Sequence, residues 1–195
     1  MTIEAENVSK AYDGKQVLKD FSLEISSDSC YALTGPEGCG KTTFIRIVLG
    51  LEKPDSGRIR LLGDYQYAWI NAGVVFQDDR LCEDFSAVDN VAMVNKKLSP
   101  RIARQELCKL LPDEVLDKPV KELDKSMRRR VCIIRACAIP TDVILMDEPF
   151  EGMDAATRTK SIEYIKSIKA TTPVVITAKT LEGLEFCKNI PIPQL

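Results

Sequence analysis

The chain has 195 residues, enough for one substantial hydrophobic core with room for an inserted lobe, and too many for a peptide. Lysine and arginine number 27 against 29 aspartates and glutamates, a formal net charge of -2 with no histidine at all, so no global field draws the molecule to nucleic acid or to an anionic membrane. No apolar run has the length of a bilayer span, and the opening MTIEAENVSK is neither basic nor apolar enough for a secretion signal, which makes the cytosol the expected compartment.

From Ile3 to Ile25 the sequence reads as two strands around Asp13-Gly14-Lys15, a β-hairpin by its turn signal. Ser29 to Leu33 (SCYAL) follows as a short buried strand, then the glycine-rich GPEGCGKTT, then FIRIVLG with helical spacing that stops at Gly50. Pro54-Asp55-Ser56 introduces a second small β unit, Gly57 to Gly63, and GVVF (Gly73 to Phe76) is a buried strand ending at Gln77. Between Val88 and about Ala138 the pattern turns helical and charged, divided by Pro100, Pro112 and Pro119, and is expected to form an inserted helical lobe. Asp142 to Met146 is a continuous apolar strand that delivers Asp147 and Glu148 at its carboxyl end, where an open α/β sheet places its chemistry. A helix containing Ser161 to Lys169 then leads to a parallel-type strand, Pro173 to Thr177. The alternation predicts an α/β fold over residues 1–195, with a parallel-sheet core, an N-terminal antiparallel β subdomain and an α-helical insertion.

Gly35, Pro36, Glu37, Gly38, Cys39, Gly40, Lys41, Thr42 and Thr43 complete a phosphate-binding loop between strand and helix, which makes ATP or GTP the first ligand to consider. Glycines let successive backbone N–H groups turn inward around a phosphate, and the following helix adds its positive dipole end. Lys41 is placed to bridge the β- and γ-phosphates and the Thr42 hydroxyl to take one position on Mg²⁺. The seven cysteines (Cys30, Cys39, Cys82, Cys108, Cys132, Cys137 and Cys187) are an odd number without a CxxC pair and are expected as reduced thiols serving mainly as small apolar side chains. Cys39 stands apart: beside a helix N-terminus and a lysine its pKa is expected to fall, and its alkylation to block the nucleotide. Arg128, Arg129 and Arg130 lack interleaved aromatics and a basic surround, so a helix-surface or salt-bridging role is expected in place of nucleic-acid binding.

With these motifs in this order, the chain from Ile3 to about Lys179 resembles the ATP-binding subunit of ABC transporters, and VVFQDDRL resembles more narrowly the nitrate, sulfonate and taurine importers. The resemblance implies a P-loop NTPase core that binds ATP and Mg²⁺, works as a homodimer or heterodimer on transmembrane permease subunits, and sits at the cytoplasmic face of the membrane. It implies that Tyr12 stacks on adenine and that Gln77 reaches Mg²⁺ and the attacking water. Asp147 would hold Mg²⁺, directly or through water, Glu148 would polarise the attacking water, and Asp154 would reach the dimer interface.

The family's LSGGQ signature, which holds the γ-phosphate of the partner's ATP, aligns here with Leu123, Asp124, Lys125, Ser126 and Met127. Asp124 would direct a carboxylate at that phosphate, a repulsion of about 1 to 4 kcal/mol depending on the effective dielectric. Ala178 falls where the family places a histidine beside the γ-phosphate, so weak hydrolysis is expected in isolation. The alternative is a nucleotide-binding regulatory or interaction module with little or no ATPase activity. A small-molecule phosphotransferase does not account for Gln77, the DEPF run and Asp154 together. The interval from Gln77 to Leu123 and the stretch after Pro191 and Pro193 are short for the family, which implies a reduced coupling surface.

Overall fold

A computed structural model describes residues 2–62, 70–168 and 172–195. In chain order the elements are β1 (Thr2–Tyr12), β2 (Lys15–Ile25), β3 (Cys30–Thr34), α1 (Lys41–Val48), β4 (Ser56–Leu62) and β5 (Ala72–Val75). These are followed by α2 (Ala87–Ala92), α3 (Pro100–Leu107), α4 (Lys125–Cys137), β6 (Val143–Asp147), α5 (Ala155–Ile168), β7 (Val174–Ala178) and β8 (Lys188–Pro191).

The N-terminal hairpin forms as its turn signal predicts, with Tyr12 facing Lys15 across Asp13 (φ 49°) and Gly14 (φ 79°), a left-handed pair that matches the twist of the strands. The second β unit is not separate: β4 pairs antiparallel with the free edge of β1, giving a sheet of order β2-β1-β4. Gly63, the predicted end of that unit, and Lys169, the predicted end of the helix before β7, lie outside the described residues.

The second sheet has five parallel strands in the order β5-β6-β7-β3-β8. Every residue of β3 and β6 is buried, the continuous apolar run expected of strands covered on both faces. Alternate side chains divide the core in two. Ala32, Ile144, Met146, Val174 and Ile176 join the cluster with α4 and α5, whereas Leu33, Leu145 and Val175 face α1 and the antiparallel sheet. Because all five strands run the same way, the segments after β3, β5, β6 and β7 leave from one edge.

Proline and caps set the helical region. Ser86 and Ser99 accept bonds from the Asp89 and Ile102 amides at the starts of α2 and α3, with Pro100 in the first turn of α3. Arg104 then braces the following turn by bonding Asp113 and Asp117. The end of α4 packs on β5 so closely that a Cβ at Gly73 would lie 2.0 Å from the Ala136 carbonyl oxygen, and only glycine fits there.

Two features depart from expectation. No strand is predicted at Lys188–Pro191, yet β8 pairs with β3 at the sheet edge, where Pro191 at the strand end costs no interior hydrogen bond. Its register, Tyr31 opposite Lys188, puts Cys30 beside Cys187, and the two are joined in a disulfide with a Cα–Cα distance of 4.5 Å. Seven reduced thiols therefore become five, because a pairing across 157 residues of sequence is created by strand register alone.

Candidate functional site

The loop after β3 enters α1 through Gly40, whose φ of 99° is left-handed and where a Cβ would stand 2.4 Å from the Val17 carbonyl oxygen. That close approach packs β2 onto the phosphate loop. Tyr12 lies at the turn end of the same hairpin, 41% exposed, with the Lys10 ammonium 5.4 Å from its ring centre. Lys41 is 5% exposed and donates to the carbonyl oxygens of Gly35 and Pro36, both at 2.8 Å. Its ammonium also stands 3.9 Å from Glu148 Oε1. Cys39 is buried, so the expectation that alkylation would reach it fails on access: its sulfur packs beneath Gly35.

At the end of β6, both oxygens of Asp147 are engaged. Thr42 Oγ1 donates to Oδ2 at 2.6 Å, and Thr177 Oγ1 donates to Oδ1 at 2.6 Å. Thr177 Oγ1 in turn accepts the Glu148 amide at 2.9 Å, which holds Glu148 in a left-handed conformation of φ 45°. A non-glycine residue there is strained, and the bond to Thr177 is part of what maintains it. Asp147 and Thr177 are buried, while Glu148 stays partly open to solvent.

Gln77 follows β5 with its side chain exposed. Its main chain is held from below by Arg129, which is buried and so departs from the helix-surface half of the expectation, while its 3.4 Å pair with Asp79 meets the salt-bridging half. Arg129 is fully buried, and its guanidinium donates to the carbonyl oxygens of Phe76 (2.6 Å), Gln77 (3.3 Å), Asp147 (3.0 Å) and Glu148 (2.9 Å). Arg128 does fit the salt-bridging expectation, with Nε 3.1 Å from Asp79 Oδ2, and Arg130 reaches the Leu110 carbonyl oxygen.

The remaining predicted positions lie around this cluster. Asp124 is the N-cap of α4: its Oδ1 accepts the Met127 amide at 2.7 Å, so one carboxylate oxygen that the sequence aims at a phosphate is bound into its own helix. Lys125 bonds Glu151 Oε1 at 2.7 Å, Ser126 gives its carbonyl oxygen to Arg130, and Leu123 is buried. Asp154 caps α5 by accepting from the Thr157 amide and hydroxyl, and the amide bond above all holds its pKa below the usual carboxylate value. Ala178 accepts the Gly35 amide through its carbonyl oxygen at 3.3 Å and lines a cleft with Glu148, Glu151, Arg158, Thr177 and Lys179. Thus Lys41, Thr42, Asp147 and Glu148 come together, joined by Thr177 and Arg129, which the sequence does not mark. Thr177 carries one available signal, a hydroxyl at the inner end of an otherwise apolar strand. Arg129 carries none, since nothing in a run of three arginines says which faces inward.

The model of the ABC transporter family matches residues 18–151. Among relatives, the chain is 33% identical over 98% of its length to the sulfate/thiosulfate import ATP-binding protein CysA of Pseudomonas putida, covering 64% of that protein. It is likewise 35% identical to CysA of Thermosynechococcus vestitus, covering 61% of it, and 33% identical to the Nod factor export ATP-binding protein I of Cupriavidus metallidurans, covering 66%. The chain therefore spans less than two thirds of the length of these proteins. Its fold is that of the ATP-binding cassette MJ0796 solved as a dimer bound to ADP and Pi, with a TM-score of 0.85 over 97% of this chain and 94% of that one at 24% identity. A family match over residues 18–151, on this fold and with this loop, makes the chain a member of the ABC transporter family.

Proposed function

We propose that the chain is the energy-coupling ATP-binding subunit of an ABC transporter of import type, with its own half of the MgATP site intact and its contribution to a partner's half impaired. The observation that carries this reading is the bonded cluster of Lys41, Thr42, Asp147 and Glu148 at one edge of the parallel sheet. The two CysA proteins support the import direction.

The roles follow from position. Tyr12 offers a ring to adenine, a contact that tolerates any base. The loop from Gly38 to Thr43 would surround the phosphates with main-chain N–H groups, and Lys41 would exchange its carbonyl partners for phosphate oxygens. Thr42 Oγ1 and Asp147 Oδ2, brought within 2.6 Å of each other, are the hard oxygen donors that Mg²⁺ prefers, so these residues fit the ion and would hold it, Asp147 directly or through water. When bound, Mg²⁺ neutralises charge on the transferred phosphoryl group. Glu148 would accept a hydrogen bond from the attacking water, and Gln77, whose main chain Arg129 ties to that of Glu148, would reach the same water.

Two observations support weak turnover. Asp124 places a carboxylate at the α4 N-terminus where a partner's γ-phosphate would otherwise meet free amides, and Ala178 has no polar group to present beside Glu148. Pairing with a subunit whose signature is intact would still complete this chain's own site. An apolar groove formed by Phe85, Ala92, Met93 and Leu98 lies one loop beyond Gln77, a surface suited to a permease segment. Among the described residues no helix is long and apolar enough to cross a membrane, so attachment at the cytoplasmic face would be through that permease.

The test is ATP retention and dimer lifetime in the purified chain with and without Glu148→Gln. The expected result is tight MgATP binding, turnover well below about one per second, and a longer-lived ATP-bound dimer in the variant. If the substitution changes neither retention nor lifetime, the second reading stands instead, an ATP-dependent interaction module. Asp124 and Ala178 are the observations that favour it.

A further inference from the structure

The 77–80 segment is fastened to α4 along one helical face. Arg129 bonds the Phe76 and Gln77 carbonyl oxygens, Cys132 Sγ donates to the Asp79 carbonyl oxygen at 3.1 Å, and Arg135 reaches the carbonyl oxygens of Asp79 and Arg80 at 3.2 and 2.8 Å. The three residues are spaced at intervals of three, one stripe of the helix. Arg129 differs from the others in having a second set of partners. One terminal nitrogen serves the segment after β5, and the other serves the Asp147 and Glu148 carbonyl oxygens after β6. It is the largest fully buried side chain among the described residues, and its nearest carboxylate, Asp79, is 3.4 Å away and itself partly exposed. A buried cation whose bonds go mainly to four main-chain oxygens is spent on fixing two backbone segments relative to each other.

We propose that Arg129 is a positioning residue that sets Gln77 against Asp147 and Glu148, so that their side chains act on one magnesium-bound nucleotide as a unit. Arg129 is fully buried and would act through the main-chain oxygens it holds. It rests on α4 one turn beyond the Asp124 cap, so the same rigid helix reaches from the end that would face a partner to the carboxylates of this chain's own site. A planar fork can serve both segments at once. A lysine ammonium is a single point of charge and cannot span them in the same way.

The inference rests on the MgATP reading, and the experiment separates the two. ATP affinity is measured by calorimetry in Mg²⁺ and in EDTA for the unmodified chain, Arg129→Met, Arg129→Lys and Arg129→Gln, with melting temperature recorded for each. An unmodified chain that binds no ATP overturns the MgATP reading, and with it this inference. If it binds, the expected result is EDTA affinity within about twofold of the unmodified chain in all variants, because the phosphate loop is untouched. The gain from Mg²⁺ should fall about tenfold or more in Arg129→Met and Arg129→Lys and least in Arg129→Gln, which keeps a two-donor amide. Equal loss in EDTA and Mg²⁺ would show a purely structural role and overturn the proposal. Should these variants fail to fold, amide exchange in the unmodified chain decides. MgATP must slow exchange in 77–80 and 148–152 together and ATP with EDTA must not; slowing in one segment alone overturns the coupling.

Discussion

Thr177 does two jobs with one oxygen, donating to Asp147 and accepting from the amide of a strained Glu148. Thr177→Val keeps the shape and removes both bonds, leaving a buried carboxylate oxygen and a main-chain N–H without partners. That change is expected to cost about 1 to 3 kcal/mol in urea unfolding. It should also weaken ATP binding in Mg²⁺ more than in EDTA, since Asp147 loses its orientation while Lys41 is undisturbed. Thr177→Ser restores the hydroxyl and should recover most of both losses. Unchanged stability in Thr177→Val would mean that water or a rotated side chain replaces the bond. Nothing about Thr177 is visible as a motif, because its importance arises only where β7 lies beside β6 and its hydroxyl meets the Asp147 carboxylate.

Helix α4 separates two properties of its N-cap residue. As an N-cap, Asp124 stabilises the helix by binding the Met127 amide, and serine does this nearly as well, so Asp124→Ser should leave stability within about 0.5 kcal/mol while Asp124→Ala should lose about 1 kcal/mol. Chemical denaturation of the three proteins checks this order. The elements themselves were largely legible: alternating and continuous apolar runs, Asp13-Gly14 and the proline breaks at Pro100, Pro112 and Pro119 locate the hairpin, the buried strands and the helical region from local physics. What was not legible depended on contacts distant in sequence. β8 is short, polar at its start and closed by Pro191, with no local signal of its own, and it exists because β3 has an open edge. The pairing of Cys30 with Cys187 and the burial of Arg129 have the same origin. The phosphate loop, Asp147 and Glu148 were readable because each is a local spelling; the bonds that join them were not.

On the proposed reading, the two departures from the family pattern, Asp124 and Ala178, would bear on different contacts of an assembled dimer. The phosphate loop, Asp147 and Glu148 would form the half of the site that this chain supplies to its own nucleotide, while Asp124 would lie in the half it offers a partner. A homodimer would then carry the carboxylate into both composite sites. Removing it on one side repairs only the site formed with the other chain's loop. Mixing the unmodified chain with a Lys41→Ala, Asp124→Ser double variant separates the halves: the variant cannot hold phosphate but offers a repaired helix end, and the unmodified chain supplies an intact loop. The mixture should form an ATP-dependent dimer with one nucleotide per pair, gaining up to about the 1 to 4 kcal/mol of repulsion removed, whereas neither protein alone should dimerise as tightly. Sedimentation with labelled ATP measures both stoichiometry and affinity. The control is Lys41→Ala with Asp124 retained. If that single variant supports dimerisation as well as the double variant does, the carboxylate at the head of α4 is not what holds the two copies apart.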